Sequence, residues 1–442
     1  MSSEQTFLAM LLENVAAQLS GFQRVLVAYS GGLDSSVLLH MLYQLMQQRP
    51  ELAVRAVYVH HGLSAQADRW AQHCVHTCQQ WGIPCSVLPV RVDARERGVE
   101  AAARDVRYQA LRTHLLPEEV LLTAQHLDDQ SETFLLALKR GSGPAGLSAM
   151  GATGQLGQNL LKRPLLGVSR AQLEDYAHHY RLTWVEDESN RDDRYDRNFL
   201  RLQVLPLLKQ RWPSFPDAVA RSARLCAEQE QLLDELLAAS LHSACNAEGA
   251  LAVDALLPLS ELHRFALLRR WLREREVTMP SREQLLRLWQ DVALSCQDAE
   301  PLLHLGAVQI RRFRQRLYCV VTRASVVSLV LPWQPELGAL KLPQQLGTLM
   351  LADQGTRIRR PRPDEQVSVR FGLKGKLHIV GRSGGRCAKK LWQECGVPPW
   401  KREQVPLLYY NEQPIAAIGV FVMRDGDVQD DATAWQVAWS MA

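Results

Sequence analysis

"RVLVAYSGGLDSSVLLHML", residues 24–42, runs from an apolar strand through Ser30-Gly31-Gly32-Leu33-Asp34-Ser35 straight into an apolar-periodic helix. A helix begun at such a junction leaves its first amides without intrahelical partners, and those amides carry partial positive charge. Gly31 and Gly32 let the backbone come close to a phosphate and adopt dihedrals closed to other residues. Ser30 and Ser35 add hydroxyl donors. Asp34 alone would repel a phosphate, so its position points to Mg²⁺ held between carboxylate and phosphates. The chain has no Gly-x-x-x-x-Gly-Lys-Ser/Thr run and its first lysine is Lys139, so a Walker-type phosphate lysine is absent. The bland alternative is a Gly-rich turn that binds nothing; an aspartate and a second serine directly after a buried first strand weigh against it.

Outward from this stretch, apolar runs at 24–30, 53–61, 84–92 and 118–126 alternate with helical patterns near 35–47, 66–81, 100–116 and 129–139. Strand–helix alternation predicts an α/β domain with a parallel sheet covered on both faces, and ligands of such sheets sit at the carboxyl ends of the strands. This catalytic domain is expected over residues 1–212. Residues 141–158 read as a Gly-rich loop without an element of their own, and Ser169-Arg170-Ala171-Gln172 as a capping box opening a helix to Tyr180. Beyond Pro213 and Pro216, amphipathic patterns at 217–240, 259–275 and 281–293 and a hairpin at 306–321 suggest a mainly helical middle domain, 213–330. A small mixed α+β domain is expected over 340–442, with one helical piece near 386–395.

A chain of 442 residues, 47% hydrophobic and 22% charged, has room for two or three domains. The amino terminus lacks a cationic lead and carries Glu4 and Glu13, and no apolar run is long enough to span a bilayer, so neither secretion nor a membrane is expected. Nine cysteines without Cys-x-x-Cys pairs fit reduced thiols in a cytoplasmic protein. Net charge is only +4, but residues 357–402 hold thirteen Lys or Arg against three acids, a patch suited to polyanions or to plain solvation.

Three further segments carry chemistry. In "HLDDQSET" (126–133), Asp129 and Glu132 lie one helical turn apart at a strand's carboxyl end, an arrangement suited to a cationic group; helix capping is the alternative. In "VEAAARDVRYQAL" (99–111), Glu100, Arg104, Arg107 and Tyr108 share a helix face, otherwise an ordinary surface ion pair. In "EDESNRDDRYDRNFLR" (186–201), Arg197 and Arg201 share one turn, otherwise a salt-bridged helix start.

The SGGLDS loop resembles that of the N-type ATP pyrophosphatases (the PP-loop superfamily), and the set of motifs closely resembles the bacterial tRNA(Ile)-lysidine synthetases. The matching features are "RDVRY", "HLDDQSET" with "RGSGPAGL", "RPLL", "EDESN" with "RNFLR", and "IVGRSGGRCAKKLWQECGVPPW" (379–400), together spanning nearly the whole chain. The resemblance implies ATP-dependent ligation of L-lysine to C2 of the wobble cytidine of an isoleucine tRNA with a CAU anticodon, through an adenylated cytidine. Lysidine then pairs with A, switching codon reading from AUG to AUA and identity from methionine to isoleucine. It implies ATP at Ser30, Gly31, Gly32, Leu33, Asp34 and Ser35, Mg²⁺ at Asp34, and lysine at Asp129 and Glu132. Asp34, Asp129 and Glu132 are the expected catalytic residues, and Arg104, Arg107, Arg197, Arg201, Arg386, Lys389 and Lys390 the expected tRNA contacts. A more basic or bulkier pair is expected where this chain has Cys387 and Ala388. A homodimer is compatible with this reading. Two rivals are a tRNA thiolase on the same loop, which needs sulfur-carrying or cluster-ligating cysteines beyond Cys74 and Cys78, and a non-catalytic RNA-binding relative, against which the intact Ser30, Asp34 and Ser35 speak.

Overall fold

A computed structural model describes residues 3–93, 99–296, 299–429 and 434–440. The chain divides into two compact units, residues 1–236 and 237–442. The first unit follows the expected alternation: α1 (Ser3–Gln18), β1 (Arg24–Ala28), α2 (Leu33–Gln48), β2 (Ala53–His60), α3 (Ala67–Gln80), β3 (Cys85–Pro89), α4 (Val99–His114), β4 (Val120–Leu122) and α5 (Leu127–Lys139). With β5 (Thr153–Leu156) and β6 (Asn159–Lys162), a six-stranded sheet has the order β3-β2-β1-β4-β6-β5, parallel except at its β5–β6 edge.

Period-two alternation explains why the central strands read as unbroken apolar runs. Val25 and Val27 of β1 join Val120 and Leu122 of β4 in a core with α1, α2 and α3, while Leu26, Val57 and Leu121 face the other way against Leu111 of α4. Because the chain crosses from β1 to β2 on one side and reaches β4 on the other, a crevice opens at their carboxyl ends. The β1–α2 loop and the start of α5 both lie there.

Residues 141–158 correct the expectation of an element-free loop. They contain a short helix α6 (Pro144–Leu147) and strand β5 (Thr153–Leu156), which pairs antiparallel with β6 (Asn159–Lys162). Gln130 of α5 bonds Met150 in both directions, Nε2 to O at 2.9 Å and N to Oε1 at 3.0 Å, so order here comes from tertiary contacts that local periodicity does not reveal. The capping box at Ser169 is present and opens α7 (Arg170–His179). Next come α8 (Asp196–Phe199), a π-helical stretch Leu200–Val204 and α9 (Leu205–Arg211). Pro216 is in the first turn of α10 (Phe215–Ala244), where a missing amide costs nothing, and the division between the two compact units falls inside that helix.

In the second unit, α11 (Glu261–Arg273), α12 (Arg282–Arg287) and a π-helical stretch Leu288–Ala293 pack on a four-stranded sheet built around the expected hairpin, Val308–Phe313 with Arg316–Val321. Beyond residue 325 short antiparallel strands enclose separate apolar clusters, one of them closed by α13 (Ala388–Glu394).

Candidate active site

Three helices begin in the crevice, α2, α5 and α7, and their ends differ. His126 and Asp129 close α5 in a capping box, and Ser169 and Gln172 close α7. The N-cap of α2, Gly32, supplies no side chain, and the first bond of that helix is Ser36 N to Gly32 O at 3.0 Å. The amides of Leu33, Asp34 and Ser35 therefore precede the helical ladder, at an end without a side-chain cap. The two hydroxyls steady the loop: Ser35 Oγ donates to Gly32 O at 3.0 Å and lies 3.0 Å from Ser30 Oγ. Gly31 takes φ +77°, and its carbonyl accepts from Val185 N at 2.9 Å, which ties the 185–196 segment to the loop.

The acidic side chains form one charged cluster. Asp34 accepts from Arg170 Nη1 at 2.8 and 2.9 Å. Asp128 accepts from the Arg170 amide at 2.8 Å and is paired with Lys209. Asp129 accepts from His126 N at 3.1 Å and from Arg201 Nη2 at 3.0 Å. Glu132 is fully buried, its oxygens receiving Arg201 Nε at 2.7 Å and Nη2 at 3.1 Å, with Arg197 Nε at 3.5 Å. Burial pushes the Glu132 carboxyl above its ordinary value, against the pull of Arg201. Burial also works against the Arg201 charge, but the bond to Glu132 and the charges of Glu132, Asp129 and Asp34 together outweigh it and hold that guanidinium above its ordinary value.

At the centre stands His126. Its Nδ1 accepts from Asp128 N at 3.2 Å, so a neutral ring carries its proton on Nε2, which lies 3.7 Å from Asp34 and 3.5 Å from Asp129. Thus Asp34, read from one motif, and Asp129 and Glu132, read from another, meet in one place, as do Arg197 and Arg201. Arg170, Lys209 and His126 belong to the same cluster without having been expected. His126 could have been suspected from its position ahead of two aspartates; Lys209 has no local signal, being 81 residues from its partner.

Arg104 and Arg107 lie exposed on α4; Arg104 stacks on Tyr108 at 5.0 Å. The Glu100 side chain lies outside the described residues. In the second unit Arg386, Lys389 and Lys390 are exposed at the start of α13, Cys387 is exposed, and Ala388 is buried with Leu391 and Trp392, where a bulkier residue would displace the core. Cys74 and Cys78 sit within the sheet core, and burial pushes the Cys74 thiol up.

A divalent metal fits this donor set in one way. Asp34 offers a hard carboxylate, about a quarter exposed, at the mouth of the loop, and no group of three or more metal-ligating side chains occurs among the described residues. Mg²⁺ needs only one or two carboxylates when phosphates and water complete its shell.

A bare helix end behind a Ser-Gly-Gly turn, on the first strand of a parallel sheet, defines a nucleotide-binding domain of the PP-loop class, and residues 3–208 match the family model described as "PP-loop domain". Residues 251–318 match "TilS substrate binding domain" and residues 367–439 "TilS substrate C-terminal domain". The chain is 59% identical over 429 residues to the tRNA(Ile)-lysidine synthase of Pectobacterium atrosepticum, covering 97% of each. It is 57% identical over 429 residues to that of Serratia proteamaculans, covering 97% of this chain and 98% of the relative. With Edwardsiella ictaluri the identity is 55% over 428 residues, 97% of each. The chain belongs to the tRNA(Ile)-lysidine synthase family.

Proposed function

We propose that this chain uses ATP to join L-lysine to C2 of the wobble cytidine of tRNA(Ile) with a CAU anticodon, releasing AMP and pyrophosphate. The observation that carries this reading is the uncapped end of α2 beside Asp34, Asp129 and Glu132, in a chain 59% identical to a lysidine synthase over nearly its full length. C2 of cytosine is a urea-like carbonyl whose oxygen leaves poorly. That oxygen attacks the α-phosphorus, pyrophosphate departs, the lysine amine adds at C2, and AMP leaves with the oxygen.

Each step asks for a group that this crevice holds. The amides of Leu33, Asp34 and Ser35, with Ser30, Gly31 and Gly32, receive the phosphates and stabilise the charge that grows on them. Mg²⁺, when bound, supplies positive charge against the phosphate oxygens, and Asp34 is the residue placed to hold it. Lysine arrives as a cation and must lose a proton before it attacks. Asp129 and Glu132 form the cation site, whose oxygens accept from the Arg201 guanidinium. A carboxyl held above its ordinary value by burial, as Glu132 is, suits proton transfer from the amine.

Arg197 and Arg201 reach the tRNA once the substrate ammonium takes over these carboxylates. Arg104, Arg107, Arg386, Lys389 and Lys390 hold phosphates of the RNA body, and the target base leaves its stack to enter the crevice. The cytoplasm supplies tRNA, lysine and ATP together. No helix among the described residues is long and apolar enough to cross a membrane. A homodimer is compatible with a site whose proposed catalytic groups all come from one chain.

Pyrophosphate release tests the reading. Full turnover is expected only with ATP, the CAU-anticodon tRNA and lysine together; turnover indifferent to lysine would contradict it.

A further inference from the structure

Arg170 is a residue of the cluster to which the ligation chemistry gives no role, and its contacts reach the nucleotide loop itself. It opens α7, and three of its groups are engaged: the backbone amide on Asp128, Nε on Glu174 at 2.9 Å, and Nη1 on both oxygens of Asp34. Its Nη2 enters none of these bonds. The side chain is 38% exposed, against 27% for Asp34, so a ligand entering the crevice can reach both. A loop shaped to receive phosphates thus keeps its one acid covered by a guanidinium. That cover is needed only while no metal neutralises Asp34. A guanidinium also presents a planar fork that matches phosphate oxygens.

We propose that Arg170 is a movable counter-ion of the nucleotide site: it neutralises Asp34 in the free enzyme and transfers its Nη end to a phosphate of the bound metal–nucleotide. The main-chain bond to Asp128 holds the backbone at the start of α7, so the exchange moves the guanidinium and leaves the helix in place. This inference rests on the reading of α2 and Asp34 as the nucleotide site.

The test is equilibrium binding of α,β-methylene ATP, which cannot release pyrophosphate, to the full chain with Mg²⁺ and in EDTA. With Mg²⁺, Arg170→Ala weakens binding about tenfold or more, the scale of a lost charge-assisted hydrogen bond, and Arg170→Lys falls between it and the wild type. In EDTA the sign reverses for the acid. Asp34→Asn tightens binding, because the repelling charge goes and Arg170 is released, and Asp34→Asn/Arg170→Ala loses that gain. Thermal unfolding is followed for every variant; should Arg170→Ala not fold, Arg170→Lys and Arg170→Gln serve in both comparisons. Were Arg170 only a brace for Asp34, its variants would bind within about twofold of wild type and the double variant would keep the gain, which overturns the inference alone. Binding unaffected by Asp34→Asn both with Mg²⁺ and in EDTA would overturn the site reading as well.

Discussion

Gly31 shows how tightly single residues are held in the crevice. At φ +77° a Cβ there would lie 2.9 Å from Cys74 Sγ and 3.1 Å from Val185 Cγ2, so both backbone and neighbours demand glycine. Gly31→Ala is expected to cost about 1–2 kcal/mol from the left-handed dihedral alone, visible as a lowered unfolding midpoint, and to weaken ATP binding further. Asp34→Asn should reduce pyrophosphate release at least about a hundredfold while tRNA affinity stays within about twofold, since it alters charge handling at the phosphates and not the RNA surface. Loss of tRNA binding would remove Asp34 from that role. Glu132→Gln should raise the lysine requirement more than the ATP requirement, and equal effects in steady-state kinetics would contradict its assignment; Glu132→Ala is the harsher change, because it strands Arg201 beside an empty volume. The loop residues, Asp129 and Glu132 were readable because their chemistry is written over a few consecutive positions. Arg170 with Asp34, separated by 136 residues, was not, because only the packing of α7 beside α2 brings them together.

At the level of elements, most of the reading depended on where helices start. Strands and helices of the first unit lie close to their apolar patterns because the central strands β1 and β4 are buried on both faces, with helices packed against each. The run from α8 to α9 illustrates a feature that periodicity cannot supply. Pro206, with no amide to donate, follows a π-helical stretch, and the preceding turn directs both Arg197 and Arg201 at Glu132. Similarly, β5 and β6 are stabilised by pairing and by the Gln130–Met150 bonds, so a Gly-rich composition hid them. In α13, Lys389 and Lys390 stand in the first turn, where cations oppose the helix dipole, and both are exposed. Replacing both by alanine should weaken tRNA binding and reduce the slope of log affinity against log salt by about one to two. An unchanged slope would take them off the RNA surface.

Across the whole molecule, the two units carry different chemistry. The first holds the charged crevice; the second contributes exposed cations and a strong internal ion pair, Arg359 with Glu365 at 2.6 Å through both nitrogens. The Arg359 guanidinium holds the Glu365 carboxyl down at about 2. A carboxyl depressed on folding stabilises above its ordinary range and loses that contribution as pH falls toward the depressed value. Denaturant unfolding of the second unit should therefore weaken between about pH 4.5 and about pH 2, and Glu365→Gln should flatten this dependence. An identical pH profile in the variant would remove the pair as its cause.

The reaction itself is tested most directly by mass spectrometry of tRNA(Ile) digested after incubation with the enzyme, ATP and lysine. The proposed chemistry predicts one lysine adduct, at the wobble cytidine of the CAU anticodon, absent when ATP is withheld. An unmodified cytidine despite ATP turnover, or sulfur in place of the C2 oxygen, would contradict it.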